Sequence, residues 1–348
     1  MRYHQLKLVE KELDRDRAKK LDRITRKLQS DPDLVDEVFK QLSLKAKDIE
    51  GNFINRFVAM LDPEKTSPER DQAYSNFLKK YAEIISEVES TTEEKFAFIG
   101  GLGKKSYVNE KALLKPGKSS WDDWLLPNEF ARKLFDRAFG DPRLTTDNKG
   151  PGEAALAILS PKIKLAVGGS GDIEVGNIPV EVKAAAGTST GAGRLTPTKN
   201  TLGIYNAKQV ASMLFPNDQT KQDAIIKSYP NCSANRFGQF VQDFELNTDQ
   251  VQKLLTNIFR EDSIQDMVVS VAKKGPNITG KDLLQLSIYN YGRSQDDEHF
   301  LILVKSTRSS LYFQIDNWDQ PGLQFSLSVF GNDLRTVGQT QIGILKRA

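Results

Sequence analysis

Apolar residues recur at helical spacing through most of the first ninety positions. Leu6, Val9 and Leu13 make one stripe, and Leu21, Ile24 and Leu28 make another, which predicts a helix over residues 1–29. Arg15, Arg17, Lys19, Lys20 and Arg23 cluster on it, with Asp and Glu interleaved. That mixture reads as a solvated helix face; the alternative is an arm that faces DNA or a partner protein. Asp31-Pro32 marks a helix start, with Asp31 as cap and Pro32 at the first helical position. Leu34, Val38, Phe39 and Leu42 follow on one side. Phe53, Phe57 and Leu61 mark a helix over residues 49–61, ended by Asp62-Pro63. Tyr74, Phe77, Leu78, Tyr81, Ile84 and Ile85 mark another over residues 68–90, with its aromatics in the core. Residues 1–90 are therefore expected to be α-helical.

The pattern then weakens. Residues 91–120 are rich in Gly and Lys and read as a basic linker. Gly100-Gly101-Leu102-Gly103-Lys104-Lys105 lacks the spacing of a phosphate-binding loop. Lys104, Lys105, Lys115 and Lys118 suit either a DNA backbone or plain solvent. Trp121 and Trp124 read as packing residues. Residues 128–139 form a helix with Phe130, Leu134, Phe135 and Ala138 on its apolar face, ended at Gly140 and Pro142.

From residue 150 the period changes. Gly150-Pro151-Gly152 opens a short helix carrying Glu153, and a strand is expected over 162–167. Gly176-Asn177 lies between two Val- and Ile-rich runs, the signature of a tight hairpin turn. On such a strand Glu181 and Lys183 share one face, while Val180 and Val182 point into an apolar layer. Asp172 falls on the neighbouring strand, beside the polar face. Carboxylates and an amine on an otherwise apolar hairpin are costly unless paired or bound to a cation, and oxygen ligands of this kind suit Mg²⁺ or Mn²⁺.

Beyond Lys183, residues 187–193 are dominated by Gly, Ser and Thr and read as a loop at the mouth of the site, with Arg194 and Lys199 as its cations. Residues 204–215 have a helical pattern. Residues 216–295 read as a mainly helical insertion. Residues 300–304 and 311–315 read as further strands of the hairpin's sheet, and 323–330 with 337–345 as a final hairpin. The expected class is α+β. A helical domain and linker occupies 1–115, and a mixed β-sheet core flanked by helices occupies 116–348.

Composition narrows the chemistry. One cysteine, Cys232, excludes an internal disulfide and a four-cysteine zinc site, and two histidines, His4 and His299, exclude a multi-histidine metal site. A net charge of +3 among 348 residues permits a nucleic-acid partner without demanding one. No apolar run is long enough for a membrane span, and the charged N-terminus lacks a signal-peptide core, so a reducing, cytoplasmic setting is expected.

Gly171-Asp172 followed by Glu181-Val182-Lys183, with Glu153 on the helix before them, resembles the PD-(D/E)XK nuclease superfamily, the restriction-endonuclease-like fold. Gly171 stands where many members have Pro. The likeness covers residues 150–213. It implies a metal-dependent nuclease that hydrolyses DNA to 5′-phosphate and 3′-hydroxyl ends. It also implies that Glu153, Asp172, Glu181 and the Val182 carbonyl hold Mg²⁺, for which Mn²⁺ substitutes, and that Lys183 acts on the attacking water. In the family the helix after the third strand packs on the sheet, so Lys208 and Gln209 join Arg194 and Lys199 as expected DNA contacts. The alternative is a non-cleaving DNA-binding or structural protein, of a phage or mobile element for example and then virion-associated, that keeps the fold. The N-terminal helices are the expected surface for a second copy or a partner protein.

Overall fold

The computed structural model describes residues 32–48, 67–144, 151–166, 170–185, 193–196, 202–203, 205–332 and 337–344. The helices expected over 1–29 and 49–61, the basic cluster from Arg15 to Arg23, and Lys199 lie outside them. The fold is α+β, and the chain forms two compact units that interleave in sequence. Met1–Tyr107 with Pro127–Pro161 make the first, and Val108–Leu126 with Lys162–Ala348 make the second. The cut expected at 115/116 falls inside the second unit, and the helix carrying Glu153 goes with the first.

In the first unit α1 (Pro32–Asp48), α2 (Ser67–Glu87) and α3 (Thr92–Gly101) bury Val38, Leu42, Phe77, Tyr81, Ile85 and Phe98. The expected linker is corrected here: α3 is a helix. Thr91 and Glu94 form a reciprocal capping box that satisfies the first free N–H groups, and this outweighs the glycines behind it. Lys95 is buried on α3, where its ammonium donates to the Ser86 carbonyl at 2.9 Å. Two more helices of this unit, over Glu129–Ala138 and Pro151–Ala157, pack on the same core. Arg143 ties Asp141, Glu83 and Glu87 together.

The second unit begins within the expected linker. Short helices over Glu110–Leu113 and Trp121–Trp124 flank strand β1 (Gly117–Ser120). Both tryptophans are fully buried. Trp121 Nε1 donates to the Ser309 carbonyl and Trp124 Nε1 to Ser310 Oγ. The main sheet contains β2 (Ile163–Leu165), β3 (Ile173–Val175), β4 (Ile178–Ala185), β7 (His299–Val304) and β8 (Ser309–Gln314), in the order β1-β8-β7-β4-β3-β2. Among the described residues of this sheet only the β4–β7 pair is parallel, with Glu181 opposite Phe300 and Lys183 opposite Ile302. The turn joining β3 to β4 has φ of +57° at Gly176 and +79° at Asn177, as a two-residue hairpin loop requires.

Helices over Ala207–Leu214, Gln219–Ser228, Phe237–Asp243, Thr248–Ile258 and Gln265–Ala272 form a second core, a helical cluster around Phe237, Phe240, Leu254 and Phe259. The long helix over Gly280–Gln295 joins the two cores. Its Leu283 and Leu286 lie in the helical cluster, while Ile288 and Tyr291 lie with Phe300, Ile302 and Phe313 on the sheet. Two expectations change. The helix over Ala207–Leu214 sends Val210, Ala211 and Leu214 into the helical cluster rather than standing as a sheet helix. The C-terminal hairpin is divided. β9 (Leu323–Ser326) pairs with β11 (Thr340–Ile344), which also pairs with β5 (Gly193–Leu195), whereas β10 (Ser328–Gly331) pairs with β6 (Asn231–Ser233). Leu327, Val329 and Phe330 are apolar anchors for the helical cluster, and their burial there diverts the strand. Among the described residues no helix is long and apolar enough to cross a membrane.

Candidate active site on the β3–β4 hairpin

Pairing between β3 and β4 stops where the chain reaches Gly171. The Asp172 N–H still bonds the Val180 carbonyl at 2.9 Å, but Gly171 turns away with φ of +77°. Its N–H donates instead to Asp297 Oδ1 at 2.6 Å. The Val182 N–H on β4 is taken by a side chain, Asp172 Oδ2, at 3.0 Å. Asp172 is thereby fastened to the backbone between Glu181 and Lys183.

A glycine is needed at 171 for two reasons. Its φ is in the left-handed region, and an added Cβ would lie 2.7 Å from Val180 N. Proline, with φ fixed near −65°, is excluded outright. Gly171→Ala is expected to lower stability by about 2 kcal/mol or more, read as a fall in the urea midpoint. An unchanged midpoint would contradict the geometry.

Glu181 and Lys183 share a face of β4 and form an ion pair. The same Glu181 Oε1 accepts from the Tyr291 hydroxyl, and the Lys183 ammonium lies 5.8 Å from the centre of the Tyr291 ring. Glu181 is 7 % exposed, while the neighbouring Val180 and Val182 are buried on the opposite face. Burial first, and then the Asp172 charge, push the Glu181 carboxyl above the usual carboxylate range, against the pull of Lys183 and Tyr291. Asp297 is 4 % exposed. Burial and the Glu181 charge push it up to about 7, and Asp172 adds to the push.

The hairpin thus unites Asp172, Glu181, Val182 and Lys183, as the sequence pattern requires. Glu153 stands in the first unit, buried on its short helix. Gly193 packs against Lys183, where an added Cβ would lie 3.1 Å from Lys183 Cβ; Arg194 alternates to the other side of its strand and is exposed. Lys208 and Gln209 are exposed on the first turn of their helix. Gln209 has a structural task, since its Oε1 accepts from the Asn206 N–H in a capping box.

Sequence reasoning passed over Tyr291 and Asp297. Tyr291 is one apolar position in a helical pattern. Asp297 sits in the polar run Arg293-Ser294-Gln295-Asp296-Asp297-Glu298, which reads as a solvated turn. The available signal was position, because Asp297 lies three residues before the strand expected over 300–304, which joins the hairpin's sheet.

Among the described residues, no three His, Cys, Asp or Glu side chains converge closely enough to hold a metal ion by themselves. The donor chemistry nevertheless fits a hard divalent cation. Asp172 and Glu181 offer carboxylate oxygens, and a bound cation would offset the burial and the Asp172 charge that raise Glu181. Mg²⁺ characteristically completes its shell with several waters. No protein family, curated protein or solved structure matches the chain.

Proposed function

We propose that the protein is a divalent-metal-dependent deoxyribonuclease that hydrolyses phosphodiester bonds to 5′-phosphate and 3′-hydroxyl ends. The observation that carries this reading is the Asp172 carboxylate bonded to the Val182 N–H, which sets two acids and one amine side by side at the end of an apolar hairpin. The reading uses residues of the second unit alone.

Asp172 and Glu181, with the backbone at Val182, would hold the cation. When bound it supplies Lewis-acid polarisation of the phosphate and a more acidic water. Lys183 is the group able to orient the attacking water and to offset the negative charge that builds on the phosphate oxygens. Glu181 keeps that ammonium on the hairpin face through their ion pair. Tyr291 holds the Glu181 carboxylate by donating to it.

Incubating the protein with supercoiled and linear DNA in Mg²⁺, and in parallel with EDTA, tests the proposal. Nicked or shortened DNA with 5′-phosphate ends is expected in Mg²⁺ alone. Intact DNA in both arms would overturn the reading, and retention of the DNA in a mobility-shift gel would then identify a non-cleaving binder.

A further inference from the structure

The hairpin's own contacts, the Asp172–Val182 bond and the Glu181–Lys183 pair, are not all that holds its carboxylates; the end of one helix reaches both strands. The helix over Gly280–Gln295 lies on the sheet through Ile288 and Tyr291, and it ends at Asp296, which caps it with φ of +56°. The left-handed turn carries the chain back, so that the Asp297 N–H bonds the Gly292 carbonyl at 2.8 Å. A Cβ at Gly292 would lie 2.7 Å from the Asp297 carbonyl, so the close return depends on that glycine. From this end Tyr291 reaches Glu181 through its hydroxyl, and Asp297 reaches Gly171 through Oδ1. The second bond holds the backbone at the residue before Asp172, whose carboxylate in turn holds the Val182 N–H. Both contacts span more than a hundred residues of sequence, so local strand geometry cannot replace them.

We infer that Tyr291 and Asp297 are a paired positioning device, holding Glu181 and Asp172 at the separation a shared divalent cation needs. The inference deepens the nuclease reading and rests on it for the identity of the ligand. Neither residue is assigned contact with substrate. Asp297 acts as a hydrogen-bond acceptor, a role that an asparagine side-chain oxygen can fill and an alanine cannot. Tyr291 acts as a donor, which phenylalanine removes while keeping the ring packed on Phe300.

The full chain is studied as wild type, Asp297→Ala, Asp297→Asn and Tyr291→Phe, with two readouts. Amide hydrogen exchange by NMR follows Gly171 and Val182, with Leu254 and Leu255 in the helical cluster as internal reference. Titration with Mn²⁺ alone, followed by its free-ion paramagnetic resonance signal, reports cation affinity. Asp297→Ala is expected to speed exchange at Gly171 and Val182 about tenfold or more, with the reference amides unchanged. It is also expected to weaken Mn²⁺ binding about tenfold or more, as loss of a group that orients a metal ligand does. Tyr291→Phe should weaken Mn²⁺ binding about tenfold, and Asp297→Asn should stay within about fivefold of wild type in both readouts. Unchanged exchange at Gly171 and Val182 in Asp297→Ala would overturn the inference. So would faster exchange with wild-type Mn²⁺ affinity, or an Asp297→Asn variant as impaired as Asp297→Ala. A wild-type protein that binds no Mn²⁺ would sink the nuclease reading and the positioning role with it. The exchange data would still show whether Asp297 anchors Gly171, which separates that failure from one of the tie alone.

Discussion

Replacing Lys183 by methionine is expected to lower the proposed Mg²⁺-dependent DNA cleavage by about 10²–10³-fold and to leave the fold in place, the scale expected when one preorganised charge is taken from a transition state. The side chain is partly open to solvent, so its stem can be matched by methionine without leaving a cavity. What is lost is the ammonium, which pairs with Glu181 and on the proposed reading would face the phosphate. A second consequence fixes the interpretation. With Lys183 gone, burial and the Asp172 charge act on Glu181 against the Tyr291 hydroxyl alone, so its carboxyl moves further up. The residual activity of Lys183→Met therefore appears only at higher pH than that of wild type. Asp172→Ala is expected to lose at least as much activity, because it also frees the Val182 N–H. A nicking assay with far-ultraviolet circular dichroism as the folding control decides the matter. Activity of Lys183→Met within about threefold of wild type would remove Lys183 from the reaction.

In the absence of divalent cations, Asp297→Asn is more stable than wild type at pH 8 and equal to it near pH 3. In the folded protein the Asp297 carboxyl titrates at about 7, whereas an unfolded aspartate titrates near 4. The folded state therefore holds this proton more tightly than the unfolded state does. The stability that comes from holding it is complete below pH 4, declines as pH rises from 4 to 7, and is gone above about 7. Asparagine carries no such proton, so the gap between the two proteins opens across that window, reaching roughly 2–4 kcal/mol. Comparing the two proteins at each pH cancels the carboxylates that behave oppositely, such as Asp141 and Asp282, which are held below their usual range. Urea midpoints at pH 3, 5, 7 and 8 in EDTA provide the test. A pH-independent gap, or one that widens toward acid, would mean that Asp297 is not a strained acid.

The hairpin was legible in sequence because all its determinants are local. Gly176-Asn177 supplies the two positive φ angles, and the alternation of Val180, Glu181, Val182 and Lys183 sorts the faces without outside help. The helix of residues 92–101 was also local, through Thr91 and Glu94, but the run of Gly and Lys behind it masked the cap. Other features depend on burial contributed from far along the chain. β1 finds its partner almost two hundred residues away in β8, and β4 finds β7 after the whole helical cluster. The last hairpin came apart because Phe330 packs on Phe240, a contact that no periodicity announces. The site follows the same division. Asp172, Glu181 and Lys183 were readable from one strand pair. Tyr291 and Asp297 were not, because each works only when a distant helix end is brought to the sheet.

That helix is 16 residues long, about 24 Å of rigid rod, with its first half rooted in one core and its second half in another. Melting the cluster around Phe240 and Leu254 would release the rod, and the carboxylates would slacken with it. On the proposed reading, the sheet therefore could not be pared down to a minimal cutting module. Any truncation that removes the lobe between residues 205 and 280 is expected to loosen the placement of Asp172 and Glu181 even where the strands survive.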